Sequence, residues 1–409
     1  MIHSWPRAII HIDGDSFFAS CVQSVYPHLR GKPVVTGSER GVVTAASTEA
    51  KQLGISRQTS IHDIKRLFPQ CVIVSSNYEL YELISYKMFE IIKRWTPLVE
   101  QYSVDEWFAD ITGFRRVYHC PYSEIAGQIK NELEQSLHLS ISVGISVNKS
   151  LAKLASNYQK PSGLTNIPGK DIRTFLQSIP IGDVWGIGPN TAHLLQNHHI
   201  QTAYDFAIKP EEFVKKILSK PGYEIWQELQ GQYIFTVNPQ EKDGQQSISK
   251  IRTFPPTTEK VFLWGQLVHN LETVCQKARF FNLVSQKIGM YLKGQDFKMY
   301  GVEIKLTHST NYPLGIAALL KIEFDKLVVP KKLYRATYIV LHDLQSPVQK
   351  QYSLFDNIAK TEKISAVFRT VDELSEKYGR GVVQMGSTIV LGKTIENKKV
   401  SLQPFIAEV

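Results

Sequence analysis

After a polar stretch at Val237–Gln246, broken by Pro239 and Gly244, the sequence runs strand, helix, strand, strand, helix, strand. The pieces are Ser247–Phe254, Thr258–Phe281, Val284–Leu292, Gly301–Thr307, Leu314–Leu327 and Arg335–His342. Such an order closes into one sheet with two covering helices. The stretch before it reads as a linker. The chain must therefore be built in parts, as its 409 residues already require at about 100–200 residues per domain. No internal repeat is evident, and the residues from Ser346 on read as a tail with some local structure.

Upstream of the linker the pattern is mixed α/β. Arg7–Ile12 is an apolar strand halted at Asp13-Gly14-Asp15-Ser16, and Phe17–Tyr26 continues as a helix. Pro33–Ser47 holds two short β-branched runs, and Thr48–Leu53 and Ile61–Phe68 are helical. Tyr78–Trp95 has apolar residues at helical spacing and stops at Pro97. Leu98–Ser103 and Trp107–Ile111 are two strands around a tight connection. Tyr122–Leu137, Leu139–Ser146 and Asn148–Tyr158 follow as helix, strand and helix. Asp171–Tyr233 is helical in short pieces.

Composition narrows the class. The hydrophobic fraction of 43% excludes wholesale disorder. No apolar run approaches a membrane span, and Ala8–Ile12 is too short for a secretory leader, so the expectation is a soluble intracellular protein with no membrane partner. Cys21, Cys71, Cys120 and Cys275 are too scattered for a disulfide scaffold or a zinc site. Net charge is +9, and residues 245–345 carry 14 basic against 7 acidic side chains. A basic excess so concentrated suits a polyanion, nucleic acid or an anionic membrane surface, as well as a merely solubilising face.

Five strings carry chemistry. Ile9–Asp15 is a buried strand ending in carboxylates, where a hard cation could bind. A turn would use the same residues, and so would a phosphohydrolase with an aspartyl nucleophile, built on Asp13 and Asp15. Tyr102–Asp110 contains Asp105-Glu106, neighbours that converge only if the chain turns there. With Asp13 they would make three carboxylates, enough for two Mg²⁺ ions; a solvated hairpin tip would carry the same pair. Gly144–Lys153, followed by Lys160-Pro161, leads a strand into a helix N-terminus trailed by lysines, a setting phosphates favour; singly, each lysine is more at home on the surface. Asp183–Pro189 has the glycine spacing of a helix–hairpin–helix, where Gly186 and Gly188 would let amides approach DNA phosphates; an ordinary glycine-rich helix turn would read the same. Gln351–Phe355 places an isolated Leu-Phe pair in the polar tail, as an anchor for a partner's pocket would, or as local packing on its own domain would.

In this order the strings resemble the Y-family, or translesion, DNA polymerases, from His11 to Phe355. Ser75–Tyr81, Glu49-Ala50-Lys51 and Asp183–Gly188 look most like the UmuC branch, the catalytic subunit of DNA polymerase V. The resemblance implies a right-hand fold, α/β and α+β, with a palm (1–19 and 78–166), fingers (20–77), a thumb with a helix–hairpin–helix (167–236) and a β-α-β-β-α-β little finger (245–345). A tail (346–409) would carry a clamp-binding motif. It implies a low-fidelity DNA-directed DNA polymerase without proofreading, serving translesion synthesis in DNA repair and the SOS response. Asp13, Asp105 and Glu106, with the Gly14 carbonyl, would hold two Mg²⁺. Phe17, Phe18, Thr48, Lys51 and Lys160 would bind the deoxynucleoside triphosphate, Phe18 as the steric gate against a ribose 2′-hydroxyl. Gly186, Gly188, Lys250 and Arg252 would bind primer-template DNA. Gln351, Ser353, Leu354 and Phe355 would bind the sliding β-clamp. The UmuC branch also implies a UmuD-like accessory subunit and a cytoplasmic, nucleoid-associated bacterial protein.

Two departures stand out. Trp107 replaces the small residue usual after the Asp-Glu pair, and its bulk is expected to reshape the palm floor. Thr48 and Lys51 replace the Tyr and Arg of the DinB branch. A clamp-bound recruitment protein that keeps the fold without the catalysis is the alternative function.

Overall fold

The structure is a computed structural model that describes residues 5–239, 246–347, 358–379 and 381–391. It divides into two compact units that meet in sequence near residue 241.

The first unit is organised by one strand. In β1 (Ile9–Gly14) every residue is buried, because both faces of its sheet are covered. β2 (Val34–Thr36), β3 (Ala45–Ala46) and β4 (Val72–Val74) form a separate small sheet in the order β3-β2-β4. The main sheet adds β5 (Val99–Gln101), β6 (Glu106–Asp110), β7 (Ile141–Ser146) and β8 (Leu164–Asn166), in the order β5-β6-β1-β7-β8. β1 is antiparallel to both β6 and β7.

Alternation along β1 divides its work. Ile10 and Ile12, with Trp107, Ala109, Val143 and Ile145, belong to a core closed by helices Tyr78–Trp95 and Tyr122–Leu137 through Ile84, Met88, Ile125 and Ile129. Ile9, His11 and Asp13 face the other way, toward helix Lys149–Tyr158. That helix lies close to the sheet because Gly144 has no side chain: a Cβ there would fall 2.2 Å from Ala152 O and Ser156 N. His11 Nδ1 meets Ser156 Oγ at 2.7 Å on this face.

Trp107 pairs with Ile12 across the β1–β6 ladder and is fully buried on the far side of the sheet from Asp13. The expectation that it intrudes on the palm floor is therefore corrected. Its bulk fills the hydrophobic core behind the site.

Residues 172–229 form five short helices around a second core that includes Leu176, Leu195, Phe206 and Trp226. Strands β4 and β8 and the short helix Arg115–Tyr118 were not anticipated, since three or four residues carry too little periodicity to read.

The second unit has the expected β-α-β-β-α-β order. β9 (Ile248–Thr257), β10 (Val284–Gly294), β11 (Met299–Thr310) and β12 (Tyr334–Gln345) form an antiparallel sheet ordered β11-β10-β12-β9. Helices Lys260–Phe280 and Pro313–Leu327 cover one face, burying Leu267, Leu271, Ile316 and Phe324 against Ile288, Met290, Ile339 and Leu341. The tail holds more structure than expected. Helix Ile358–Tyr378 docks on the unit through a two-bond ion pair, Arg279 to Asp372 at 2.6 and 2.9 Å. Phe368 stacks on Tyr312 beside it.

Candidate active site

The β1–β6 register sets Asp13 directly opposite Glu106, so both side chains leave the same face of the sheet. The turn before β6 brings in Asp105. Gly14 N donates to Asp105 O at 2.9 Å, and Tyr102 N and Ser103 N both donate to Glu106 O. The required turn is thus present: it brings Asp105 to the end of the sheet where Asp13 and Glu106 lie, without closing the three carboxylates into one cluster.

Each carboxylate is already engaged. Lys160 Nζ lies 2.5 Å from Asp13 Oδ1, Lys153 pairs with Glu106, and Ser103 Oγ donates to Asp105 Oδ1 at 2.5 Å. Burial pushes the Asp13 carboxyl up to about 7; Lys160 opposes the rise, and Glu106 and Asp105 add to it. Among the described residues, no three His, Cys, Asp or Glu side chains converge as a metal centre would need. The donor set nevertheless fits a hard divalent cation. It is all oxygen, it carries buried like charge, and two ammonium groups stand in as cations against Asp13 and Glu106.

Lys153, the last residue of the lysine-trailed string, was not anticipated as a partner of Glu106. Its Nζ lies 5.1 Å from the Tyr102 ring centre and 6.0 Å from that of Trp185. Lys149, one turn earlier, pairs with Glu100 and lies over Phe108. A spacing of four on the helix that follows β7 was the available signal: it puts both ammonium groups on one face.

Around this centre, Phe17 is buried and Phe18 half-buried at the start of helix Phe17–Val25. Phe18 contacts Tyr78 edge-on at 5.8 Å. Thr48 and Lys51 sit on helix Thr48–Gln52, capped by Ser47, and make no side-chain hydrogen bond or ion pair to the carboxylates. Gly186 has a φ of +84°, and a Cβ there would strike Ile225 Cδ1 at 2.5 Å; Gly188 caps helix Pro189–Asn197 in extended backbone with open space around it. Between the first hairpin residues and the sheet, Trp185 Nε1 donates to Tyr102 Oη at 3.3 Å.

Lys250 and Arg252 lie elsewhere, in the second unit. They pair with Ile339 and Thr337, both fully buried, and so share the helix-covered side of edge strand β9. The uncovered face carries Tyr291 and Tyr338, 5.6 Å apart, with Ile251 in the same row. Gln351, Ser353, Leu354 and Phe355 lie outside the described residues.

Comparison with known proteins gives this arrangement a family. Residues 12–157 match the impB/mucB/samB family, 169–200 the IMS family HHH motif, and 245–354 the impB/mucB/samB family C-terminal domain. DNA polymerase IV of Desulfatibacillum aliphaticivorans is 31% identical over 387 residues, 93% of this chain and 96% of that protein. DNA polymerase IV of Bacillus velezensis is 29% identical over 94% of this chain and 93% of its own length. Among solved structures, the Y-family DNA polymerase chimera Dbh-Dpo4(243-245)-Dbh aligns with a TM-score of 0.71 at 23% identity, over 83% of this chain and 99% of its own. A Dbh ternary complex aligns at 0.56 and 23%, over 82% and 98%.

The chain belongs to the impB/mucB/samB family, the Y-family DNA polymerases, and is a DNA-directed DNA polymerase with their right-hand fold and C-terminal sheet domain. The relatives named here are DNA polymerases IV, of the DinB branch, and not UmuC. No helix among the described residues is long and apolar enough to cross a membrane.

Proposed function

We propose that this chain copies past damaged template bases, joining deoxynucleotides to a primer 3′-hydroxyl at the Asp13–Asp105–Glu106 centre. The observation that carries the reading is the cross-strand pairing of Asp13 with Glu106 beside Asp105, in a site where buried negative charge calls for cations. Two Mg²⁺ ions, held by these carboxylates and the Gly14 carbonyl, would supply a lowered hydroxyl pKa and a stabilised pyrophosphate.

The protein's own residues do the rest. Lys160, a third exposed, is free to exchange Asp13 for the triphosphate, with Thr48 and Lys51 as further contacts. Phe18 closes the sugar side. Positioning and electrostatics supply most of the acceleration. In this reading 1–19 and 78–166 are the palm, 20–77 the fingers, 167–236 the thumb and 245–345 the little finger. Gly186 and Gly188 would hold primer-template phosphates, and Lys250 and Arg252 would add charge from the β9 edge. Gln351–Phe355 would take the sliding β-clamp, with service in the SOS response and no proofreading as part of the same reading.

Within the family two lines of support differ. Ser75–Tyr81, Glu49–Lys51 and Asp183–Gly188 favour the UmuC branch and with it a UmuD-like subunit. The likeness to DNA polymerases IV runs over more than nine-tenths of the chain, and outweighs those short strings. We therefore read the chain as a DinB-side polymerase active without an accessory subunit. Intact carboxylates and the rearward Trp107 disfavour a non-catalytic recruitment protein. Primer extension with Mg²⁺ tests the reading: wild type extends and Asp105→Ala does not, though it still binds primer-template. Undiminished extension by Asp105→Ala would remove the metal assignment.

A further inference from the structure

The Asp13-Gly14-Asp15 turn carries a second carboxylate. Asp15 is 4% exposed, and its oxygens are filled by protein donors. Oδ2 accepts from Ser140 Oγ at 2.8 Å, from Ser142 Oγ at 2.9 Å and from the Ser162 backbone N–H at 2.8 Å; Oδ1 accepts from Ser142 Oγ at 2.9 Å. A carboxylate so saturated cannot serve as a phosphohydrolase nucleophile. It makes strong, charge-assisted bonds instead: three go to the Ser140 and Ser142 hydroxyls at the start of β7, and the fourth ties in a separate piece of chain.

That piece is the loop after helix Lys149–Tyr158. Ser162 stands two residues beyond Lys160, with a φ of +55° that only a well-determined loop sustains. Its Oγ donates to Glu134 at 2.8 Å and accepts from Lys130 at 2.9 Å. Gly163 O accepts from Val143 N at 2.9 Å. Every one of these bonds holds backbone or Ser162. None restrains the Lys160 side chain, whose ammonium pairs with Asp13 Oδ1 and is a third exposed. The arrangement is a hydrogen-bonded base beneath a partly exposed cation, and Asp15 is the member of that base that holds the Ser162 amide.

We propose that Asp15 is a positioning residue: it anchors the Ser162 amide and so fixes the point from which Lys160 reaches the incoming nucleotide's triphosphate. The inference rests on the reading of Lys160 given above. Because Asp15 acts through Lys160, its loss weakens nucleotide capture and leaves the Asp13–Glu106 centre intact. The Asp15 carbonyl, which accepts from Ser20 Oγ at 2.6 Å, is unaffected by a side-chain change.

The test is steady-state nucleotide incorporation on primer-template with Mg²⁺, titrating the deoxynucleotide for wild type, Asp15→Ala, Asp15→Asn, Lys160→Ala and the Asp15→Ala/Lys160→Ala double variant. Lys160→Ala and Asp15→Ala should each raise KM roughly tenfold with kcat changed by less than about threefold. The double variant should match Lys160→Ala alone, since residues acting in series are not additive. Asp15→Asn keeps one acceptor oxygen and should raise KM by about threefold; it is read in place of Asp15→Ala if the alanine variant does not fold. An unchanged KM in Lys160→Ala would overturn the triphosphate reading and the inference built on it. A raised KM in Lys160→Ala with an unchanged KM in the Asp15 variants, or a double variant equal to the product of the two singles, would overturn the positioning role alone.

Discussion

The Phe18 ring lies flat on the Tyr81 ring, with centroids 4.1 Å apart and planes 8° from parallel. Tyr81 is itself fixed: it is 1% exposed on helix Tyr78–Trp95, and burial pushes its hydroxyl up to about 12. A half-buried aromatic at the mouth of the site is thus backed by an immobile one. If Phe18 rejects a ribose 2′-hydroxyl by its bulk, Tyr81 keeps that bulk in place.

Phe18→Ala should raise the ratio of ribonucleotide to deoxynucleotide incorporation by about 100-fold, on the scale of a few kcal/mol of steric discrimination. Tyr81→Ala should raise it less, by about tenfold at most, since ring stacking is worth about 0.5–1.5 kcal/mol. Competitive incorporation of the two nucleotides measures both ratios. An unaltered sugar preference in Phe18→Ala would remove the gate.

Lys153 neutralises Glu106 from a nearly buried position, with 11% of its side chain exposed. Removing one partner of such a pair costs about 3–5 kcal/mol. Lys153→Met should therefore melt below wild type in the absence of Mg²⁺. It should also recover more on addition of Mg²⁺, because the metal replaces the lost charge. Thermal melts with and without MgCl₂ read this directly, and equal Mg²⁺ shifts in the two proteins would contradict it.

Glu272, on helix Lys260–Phe280, accepts from Met385 N at 2.6 Å, and burial pushes its carboxyl up to about 7. Lys250, His269 and Arg279 line the same small cavity, about 80 Å³. The folded state holds this proton more tightly than the unfolded chain, where the carboxyl has its ordinary value of 4.5. The associated stability is complete below about 4.5 and is lost as pH rises through about 7, roughly 3 kcal/mol in all. Docking of the segment around Met385 should loosen over that window. Amide exchange at residues 381–391 should speed up from pH 5 to pH 8 beyond the intrinsic pH effect, and Glu272→Gln should flatten the excess.

Much of this architecture was readable because its signals are long. The six pieces of the second unit run from 7 to 24 residues, and their order alone closes the sheet. The carboxylate turn was readable because Asp105 and Glu106 could meet Asp13 only across a strand pair. Trp107 was misjudged because its neighbour Glu106 faces the site, and strand alternation sends the next side chain into the core. What Lys153 and Asp15 touch was illegible for another reason. Their partners, Glu106 and Ser162, lie 47 and 147 positions away in sequence, and no periodicity encodes a contact of that range. Helix Ile358–Tyr378 was passed over because its docking rests on a few side chains, Phe368 and Asp372 among them, set in a polar run.

The most direct test of the central claim is primer extension with Mg²⁺ on undamaged and abasic templates, comparing wild type with Glu106→Ala. Extension by wild type on both templates, with none by Glu106→Ala at equal DNA binding, is the predicted result. Equal extension by the two proteins would contradict the assignment of Asp13, Asp105 and Glu106, and silence from wild type on both templates would contradict the polymerase itself.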